Sequence, residues 1–565
     1  MAALTIEQAI QTAAAFRQAG RVEDAKALYT QVVQAAPSCD VVWHELGVIA
    51  LTEQRIEEAE KLIARAVAVA PGNAKADSDL GAVRAMLGKY EEAIGCFRRV
   101  IALDPSLGHT HYNLGNSLAA LGRDDEAIES YQRALQLLPN SAGAHNNLGN
   151  IWQKKGLLAE AAACFRRAVE LQPDLMQAHS NLGDVLTKLG HLQEAVASCE
   201  RAVALQPRFP GARQNLGVAW MRQGNYEKAS AVFRGAIEVQ ADFQDARLGL
   251  AILLLLEGRW REGWSEYESR LRTPANAVRL RGLSEPRWDG APIPGGTLLI
   301  HAEQGFGDTL QFMRYVPLAC QRAGAARVIV ECQRELLSLL SSGGGWGCEL
   351  IPRGALDCAD APRFDVQLPM LSLPLALEHF DPMPMPAPYV APPPRLLDAW
   401  RERLAAVPGF RVGIAWAGNP SHREDRLRTI RPEQLLPLLR VPGAVFYSLQ
   451  LEQREGVSAL PLTEAGLRDF TAHIGDFADT AAMMAELDLI ITVDTASAHL
   501  AGAMGRPVWT LLPFVPDWRW GLKKEDTPWY PTMRLFRQPR LTDWDAVIAK
   551  VREQLQSLVE SSGRP

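Results

Sequence analysis

The sequence predicts an α + α/β chain: an α-solenoid of helical hairpins followed by two doubly wound α/β domains. Three observations carry that prediction. A 34-residue period runs through the first half of the 565 residues. After about residue 285 it gives way to short β-branched apolar runs alternating with helical stretches, the pattern of a parallel sheet covered by helices. A Pro-dense stretch, Pro382 to Pro394, divides that second half into two series. The domains expected are 1–275, 285–395 and 396–565.

The period is fixed by several independent landmarks. Leu-Gly pairs occur at Leu46/Gly47, Leu80/Gly81, Leu114/Gly115, Leu148/Gly149, Leu182/Gly183 and Leu216/Gly217, each 34 residues from the last. Gly88, Gly122, Gly156, Gly190, Gly224 and Gly258 keep the same step, as do Ala59, Ala93, Ala127, Ala161, Ala195 and Ala229, and Pro71, Pro105, Pro139, Pro173 and Pro207. Each unit reads as a helix with a small residue at a close crossing, a Gly turn, a second helix with Ala at its crossing, and a Pro that stops it. In these landmarks the sequence resembles the tetratricopeptide repeat family. About seven units are expected from residue 4 to 241, then a degenerate cap to about 275. Such units stack into a superhelix with a concave groove, because one hairpin cannot cover its own apolar face.

Tyr29, Phe97, Tyr131, Phe165, Cys199 and Phe233 occupy one equivalent position of the second helix and are expected to pack, Cys199 acting as a small hydrophobe. Asn113, Asn147, Asn181 and Asn215 precede the Leu-Gly pair in four successive repeats. Two readings stand for them. A ladder of carboxamides can bond the backbone of an extended peptide partner, or the same groups can bridge neighbouring helices. The peptide reading draws on a resemblance to the groove of the repeat-bearing O-GlcNAc transferases.

Composition narrows the function classes. Apolar residues make up 47% and charged residues 22% of the chain, as in ordinary globular protein. A net charge of −6, from 59 basic and 65 acidic residues, gives no footprint for nucleic acid. Eight cysteines without a CxxC pair or Cys/His clustering argue against a disulfide framework and a structural metal, and suggest a reduced, cytoplasmic setting. Met1 to Gly20 lacks a basic start followed by an apolar run, and the longest apolar run, Leu250 to Leu256, is too short to span a bilayer.

In the second half, Thr297 to His301, Ala326 to Glu331 and Phe364 to Leu368 read as strands of the first α/β domain, with a helix over Asp308 to Ala323. Phe410 to Trp416, Ala444 to Leu449, Leu489 to Val493 and Pro507 to Leu512 read as strands of the second. Ligands of such sheets sit beyond the carboxyl ends of the strands, and three motifs fall there. His301-Ala302-Glu303-Gln304-Gly305-Phe306-Gly307-Asp308-Thr309 is the first. Its glycines permit a tight turn and close ligand approach, and Asp308 is either a helix cap or a general base. A dinucleotide fingerprint would need a third Gly where Leu310 stands. Residues 415–428 follow with Asn419 and three arginines, Arg423, Arg426 and Arg428, either forked donors for a pyrophosphate or a solvated loop. The third runs from Thr492 to Trp509: a strand ends at Asp494, Thr495 starts a helix of small residues, and its N–H groups face outward for phosphate oxygens.

Together these segments resemble the heptosyltransferase-like glycosyltransferases of the two-Rossmann (GT-B) class, over about residues 290 to 560. The resemblance implies an acceptor-side first domain and a nucleotide-sugar second domain. It implies Asp308 as catalytic base, with Asp494, Thr495, Ala496 and His499 at the donor, joined by Gly305, Gly307 and Asn419. The phosphate-binding Lys of that family is not evident, and Arg426 or Arg428 stands in for it. Asp517-Trp518-Arg519-Trp520 and Trp529-Tyr530-Pro531 are similar to a variant fused to tetratricopeptide repeats; these aromatics either line the sugar or base pocket or cover the core. His301 is the rival base. No metal is expected, because the DxD strings at Asp77-Ser78-Asp79 and Asp543-Trp544-Asp545 fall inside a repeat helix and at a helix start. The expected function is transfer of a sugar from a nucleotide-diphosphate donor to a protein acceptor held by the repeats. The rivals are a non-catalytic scaffold and an NAD-type dehydrogenase.

Overall fold

The computed structural model describes residues 4–273, 282–358, 360–382, 388–405, 407–420, 425–451 and 459–563. The chain packs as two compact units, Met1–Ala219 and Trp220–Pro565. Packing therefore divides the chain about 55 residues earlier than the composition does: the second helix of the last hairpin and the cap go with the α/β half.

Seven helix pairs run from Ile6–Gln18 and Val22–Ala35 to Pro210–Arg222 and Tyr226–Val239. The Leu-Gly glycines are small for one reason. A Cβ on Gly81, Gly115 or Gly149 would stand 2.6–2.7 Å from the ring of Phe97, Tyr131 or Phe165 respectively, and Gly183 faces Cys199 in the same way. Those side chains are fully buried or nearly so, and burial raises the Cys199 thiol pKa. The turn glycines Gly20, Gly88, Gly122, Gly156, Gly190, Gly224 and Gly258 all adopt φ between 73° and 86°, a region open to glycine at little cost. Gln54 takes that conformation, at φ 61°, in the one remaining repeat.

A second regularity was not read from the sequence. Trp43, His111, His145, His179, Arg213 and Arg247 each donate a ring or guanidinium N–H to the carbonyl oxygen six residues earlier, at 2.7–3.2 Å. Three chemically different donors thus tie down the same inter-repeat turn. Asp77 holds that register in the remaining repeat and instead pairs with Arg99 at 2.5 Å, while Asp79 meets His44 at 2.7 Å.

In the second unit, β1 (Thr297–His301), β2 (Arg327–Cys332), β3 (Glu349–Pro352) and β4 (Val366–Pro369) form a parallel sheet of order β3-β2-β1-β4. β5 (Phe410–Ala415), β6 (Ala444–Ser448), β7 (Leu489–Val493), β8 (Val508–Leu512) and β9 (Met533–Arg537) form another of order β6-β5-β7-β8-β9. Both orders reverse beside their first strand, between β1 and β4 and between β5 and β7, and such reversals open the crevice in which doubly wound sheets bind ligands. The helix expected over 308–323 is broken into Phe306–Phe312, a tight turn at Met313–Tyr315, and Val316–Ala323. Pro317 is the reason: it lacks an N–H, and its ring blocks a helix running through it.

The cap joins this unit through aromatic packing. Trp518 meets Trp260, Trp264 and Tyr267 edge-on at 5.2–6.3 Å between centroids, and Trp264 donates to the Phe380 carbonyl at 2.9 Å. Arg270, fully buried, bonds Glu303 at 2.7 Å, Ser372 at 2.8 Å and Glu268 at 2.8 Å.

Candidate functional site

The first motif loop leaves β1 at its carboxyl end. His301 is buried there, and its Nε2 hydrogen-bonds Gln367 Oε1 at 3.0 Å. Glu303 is taken by Arg270 and by the Leu371 amide, which donates at 3.2 Å. Asp308 sits at the third residue of the Phe306–Phe312 helix, where its Oδ2 accepts from the Gly305 N–H at 2.8 Å. That is the reach-back half of a capping box. Its Oδ1 pairs with Arg519.

The second loop follows β5. Gln450 Oε1 accepts from the Trp416 and Ala417 amides at 3.2 and 3.0 Å, fixing its start. Asn419 and Arg426 are exposed; Arg423 lies outside the described residues. Arg428 behaves differently from Arg426. Its Nη1 donates to the Asp494 carbonyl at 2.8 Å, its Nε meets Asp425 at 3.2 Å, and a side chain on Gly418 would collide with its guanidinium. Arg428 therefore splints this loop to the end of β7.

At the end of β7, Asp494 is half-buried; loss of water around its carboxyl, with repulsion from Asp517, raises it to about 6, against a Trp520 hydrogen bond and the pull of Arg428 and Arg519. Thr495 is the N-cap of the helix Ala496–Ala503, and its hydroxyl lies 3.2 Å from that of Thr492. His499 is buried, its Nδ1 hydrogen-bonds the Tyr530 hydroxyl at 2.9 Å, and its ring lies 5.3 Å from that of Trp520. Burial, with Arg519 and Arg314 nearby, holds it neutral, far below the usual imidazole range.

The two lobes meet through these motifs rather than across an open gap. Gly307 lies against His499, where a Cβ would stand 2.6 Å from the ring. Arg519 donates to Gln311 at 2.6 Å and to Asp517 at 2.8 Å as well as pairing with Asp308. In the opposite direction, Arg314 of the first lobe donates to the Trp529 carbonyl at 2.9 Å and lies 4.8 Å from the Tyr530 ring. Trp518, Trp520, Trp529 and Tyr530 are all 1–2% exposed, so of the two readings for the aromatic tail the core-covering one holds. Asp543 accepts from the Ala546 amide and caps the last helix, as expected of that DxD string.

The four ladder asparagines lie in the other unit. Asn147 Nδ2 donates to Asn116 Oδ1 at 2.9 Å, Asn181 Nδ2 to Asn150 and Asn146 at 2.9 and 3.1 Å, and Asn215 Nδ2 to Ser180 Oγ at 3.0 Å. Asn113 is half-buried. Bridging between repeats thus occupies the amide groups of three of them.

The chain carries tetratricopeptide repeats in its first half and a glycosyltransferase-like segment in its second. Repeat models match residues 81–122 and 115–156 (TPR repeat), and 16–87, 186–243, 146–213 and 215–276 (tetratricopeptide repeat). A model for glycosyltransferase family 9 (heptosyltransferase) matches residues 475–529, a segment that holds Asp494, Thr495, Ala496, His499 and Arg519 but not Asp308. Protein FlbA of Caulobacter vibrioides is 27% identical over 318 residues, 53% of each chain; the chain spans about half the length of this curated relative. Among solved structures, YrrB, a TPR protein with an unusual peptide-binding site, aligns with 33% of this chain and 95% of its own at 24% identity and a TM-score of 0.30. MamA aligns with 29% and 95% at 26% identity and a TM-score of 0.28. Among the described residues no helix is long and apolar enough to cross a membrane.

Proposed function

We propose that this chain transfers a sugar from a nucleotide-diphosphate donor to a protein acceptor engaged by the repeats, in the cytoplasm and without a metal. The observation that carries the proposal is positional. The three motif loops leave the carboxyl ends of β1, β5 and β7, the strands beside the order reversals of two parallel sheets, and the carboxylate and cationic side chains such a transfer needs lie on them.

In this reading the acceptor hydroxyl attacks the anomeric carbon, Asp308 takes its proton, and the diphosphate leaves with the bonding pair. Arg426, whose side chain is exposed, meets the departing charge together with the first amides of the Ala496–Ala503 helix. Arg428 keeps the loop in place through Asp494. In the repeats, the carboxamides of Asn113, Asn147, Asn181 and Asn215 offer their oxygens to an extended peptide, while bonds between repeats hold the orientation of the last three.

The test is sugar transfer from a panel of UDP-, GDP- and ADP-sugars to proteins retained by the repeats, read by mass increment. Asp308→Asn is expected to lower turnover by about 100-fold or more with nucleotide binding kept, and Arg426→Ala to weaken donor binding. Full turnover in Asp308→Asn would remove Asp308 from its role.

One observation favours a second reading, a non-catalytic scaffold: both Asp308 oxygens are already engaged, by Gly305 and Arg519. Thermal stabilisation by none of the corresponding nucleoside diphosphates would select the scaffold.

A further inference from the structure

We propose that Arg519 is a positioning residue for Asp308, setting the orientation of that carboxylate from the opposite lobe. This rests on the transfer reading above and assigns a role to the Asp517–Trp520 turn.

All three guanidinium nitrogens of Arg519 are directed. Nη2 pairs with Asp308 Oδ1, Nε donates to Gln311 Oε1 at 2.6 Å, and Nη1 donates to Asp517 Oδ1 at 2.8 Å. Asp517 also accepts from the Arg519 backbone N–H at 3.0 Å, so the turn holds its own arginine. The guanidinium lies 4.3 Å from the Trp518 ring centroid, and Trp518 is wedged among Trp260, Trp264, Tyr267 and Trp529. An arginine fastened on so many sides has little rotamer freedom left. Its planar fork then imposes a fixed direction on any carboxylate it meets.

Asp308 receives that direction at one oxygen and the Gly305 N–H at the other. Two bonds from two different elements fix its torsions more tightly than the helix alone. Each carboxylate oxygen accepts two hydrogen bonds, so a lone pair remains on each, and the side chain keeps 18% of its surface exposed. Two carboxylates, Asp308 and Asp517, share one guanidinium, so the trio stays net negative and Asp308 is not simply neutralised. Lysine could supply the charge but not the fork.

The experiment is the transfer assay on the full chain with Arg519→Gln, Arg519→Lys, Asp308→Asn and the Asp308→Asn/Arg519→Gln double variant, each checked for folding by near-UV circular dichroism. Arg519→Gln is expected to lower kcat by about 100-fold, the scale of a displaced general base, with the donor KM changed less than about threefold. Arg519→Lys is expected to recover part of the loss. The double variant is expected to be no slower than Asp308→Asn alone, because Arg519 acts through that carboxylate. Losses that multiply in the double variant, or a change confined to donor KM, would overturn the proposal while leaving the transfer reading intact. If Arg519→Gln does not fold, the Lys variant decides: unchanged kcat overturns the proposal. A wild-type chain without turnover toward any donor would instead remove the transfer reading, and this role with it.

Discussion

Gly307 and His499 touch across the two lobes, with no room for a single added methyl group between them. Helices carrying the first and third motifs can cross this closely only because one side of the contact has no side chain. Gly307→Ala is expected to push them apart, costing about 1–3 kcal/mol by overpacking and lowering any turnover. Thermal unfolding of the variant checks the first part, and an unchanged midpoint would show that the imidazole yields.

Arg270→Met should be among the most damaging single changes in the second unit. It leaves Glu303 buried without its partner, and breaking a buried pair from one side costs about 3–5 kcal/mol. For the same reason a chain starting at residue 220 is expected to unfold cooperatively, whereas one starting at 276, lacking Trp260, Trp264, Tyr267 and Arg270, is expected to melt early or aggregate. Denaturant unfolding of the two fragments compares them directly.

Gln54→Gly should stabilise the chain. Gln54 is the one non-glycine in the series of left-handed repeat turns, and relief of that conformation is worth roughly 1 kcal/mol against the entropy glycine adds to the unfolded chain. The urea midpoint should rise with an unchanged slope; a fall would mean that the Gln side chain contributes more than the backbone loses.

Asp494→Asn carries a pH signature. The folded-state carboxyl titrates at about 6, above its usual 3.8, so the folded protein binds its proton more tightly than the unfolded chain does. The charged form is penalised fully above pH 6, and the penalty fades as pH falls toward 3.8. The stability gained by Asn should therefore be greatest above pH 6, at most about 3 kcal/mol, and vanish near pH 4. His499, held neutral in the fold, pulls the other way by losing stability as pH falls below its ordinary value, but it does so equally in both proteins. Thermal midpoints of the pair between pH 4 and 8 separate the two effects.

The repeats were legible because a stacked hairpin makes the same demand at the same place each time: no side chain where a ring crosses, a left-handed residue at the turn. Strands β1, β5 and β7 announced themselves as apolar runs ending in polar loops. β3 did not, being a four-residue edge strand that ends in Pro352; nor did β9, whose Arg534 and Arg537 interrupt the apolar run. At the site, the motif loops could be read but not their partners. Arg519 lies 211 residues from Asp308, and no local pattern links a tryptophan-flanked arginine to a carboxylate in another sheet. Trp260 and Trp264 fall in the stretch read only as a degenerate repeat cap, and among the rings they meet are those of Trp518 and Trp529. Arg426 and Arg428 looked equivalent two residues apart; the partners that distinguish them, the Asp494 carbonyl, Asp425 and Gly418, come from the fold.

Because the second helix of the terminal hairpin and the cap are built into the same body as the sheets, the 34-residue steps before Ala219 form a body of their own, in which each hairpin packs mainly on its neighbours. A repeat array of that kind tolerates gain or loss of whole units by recombination, so repeat number can drift between related genes while the sheet-bearing body keeps its length.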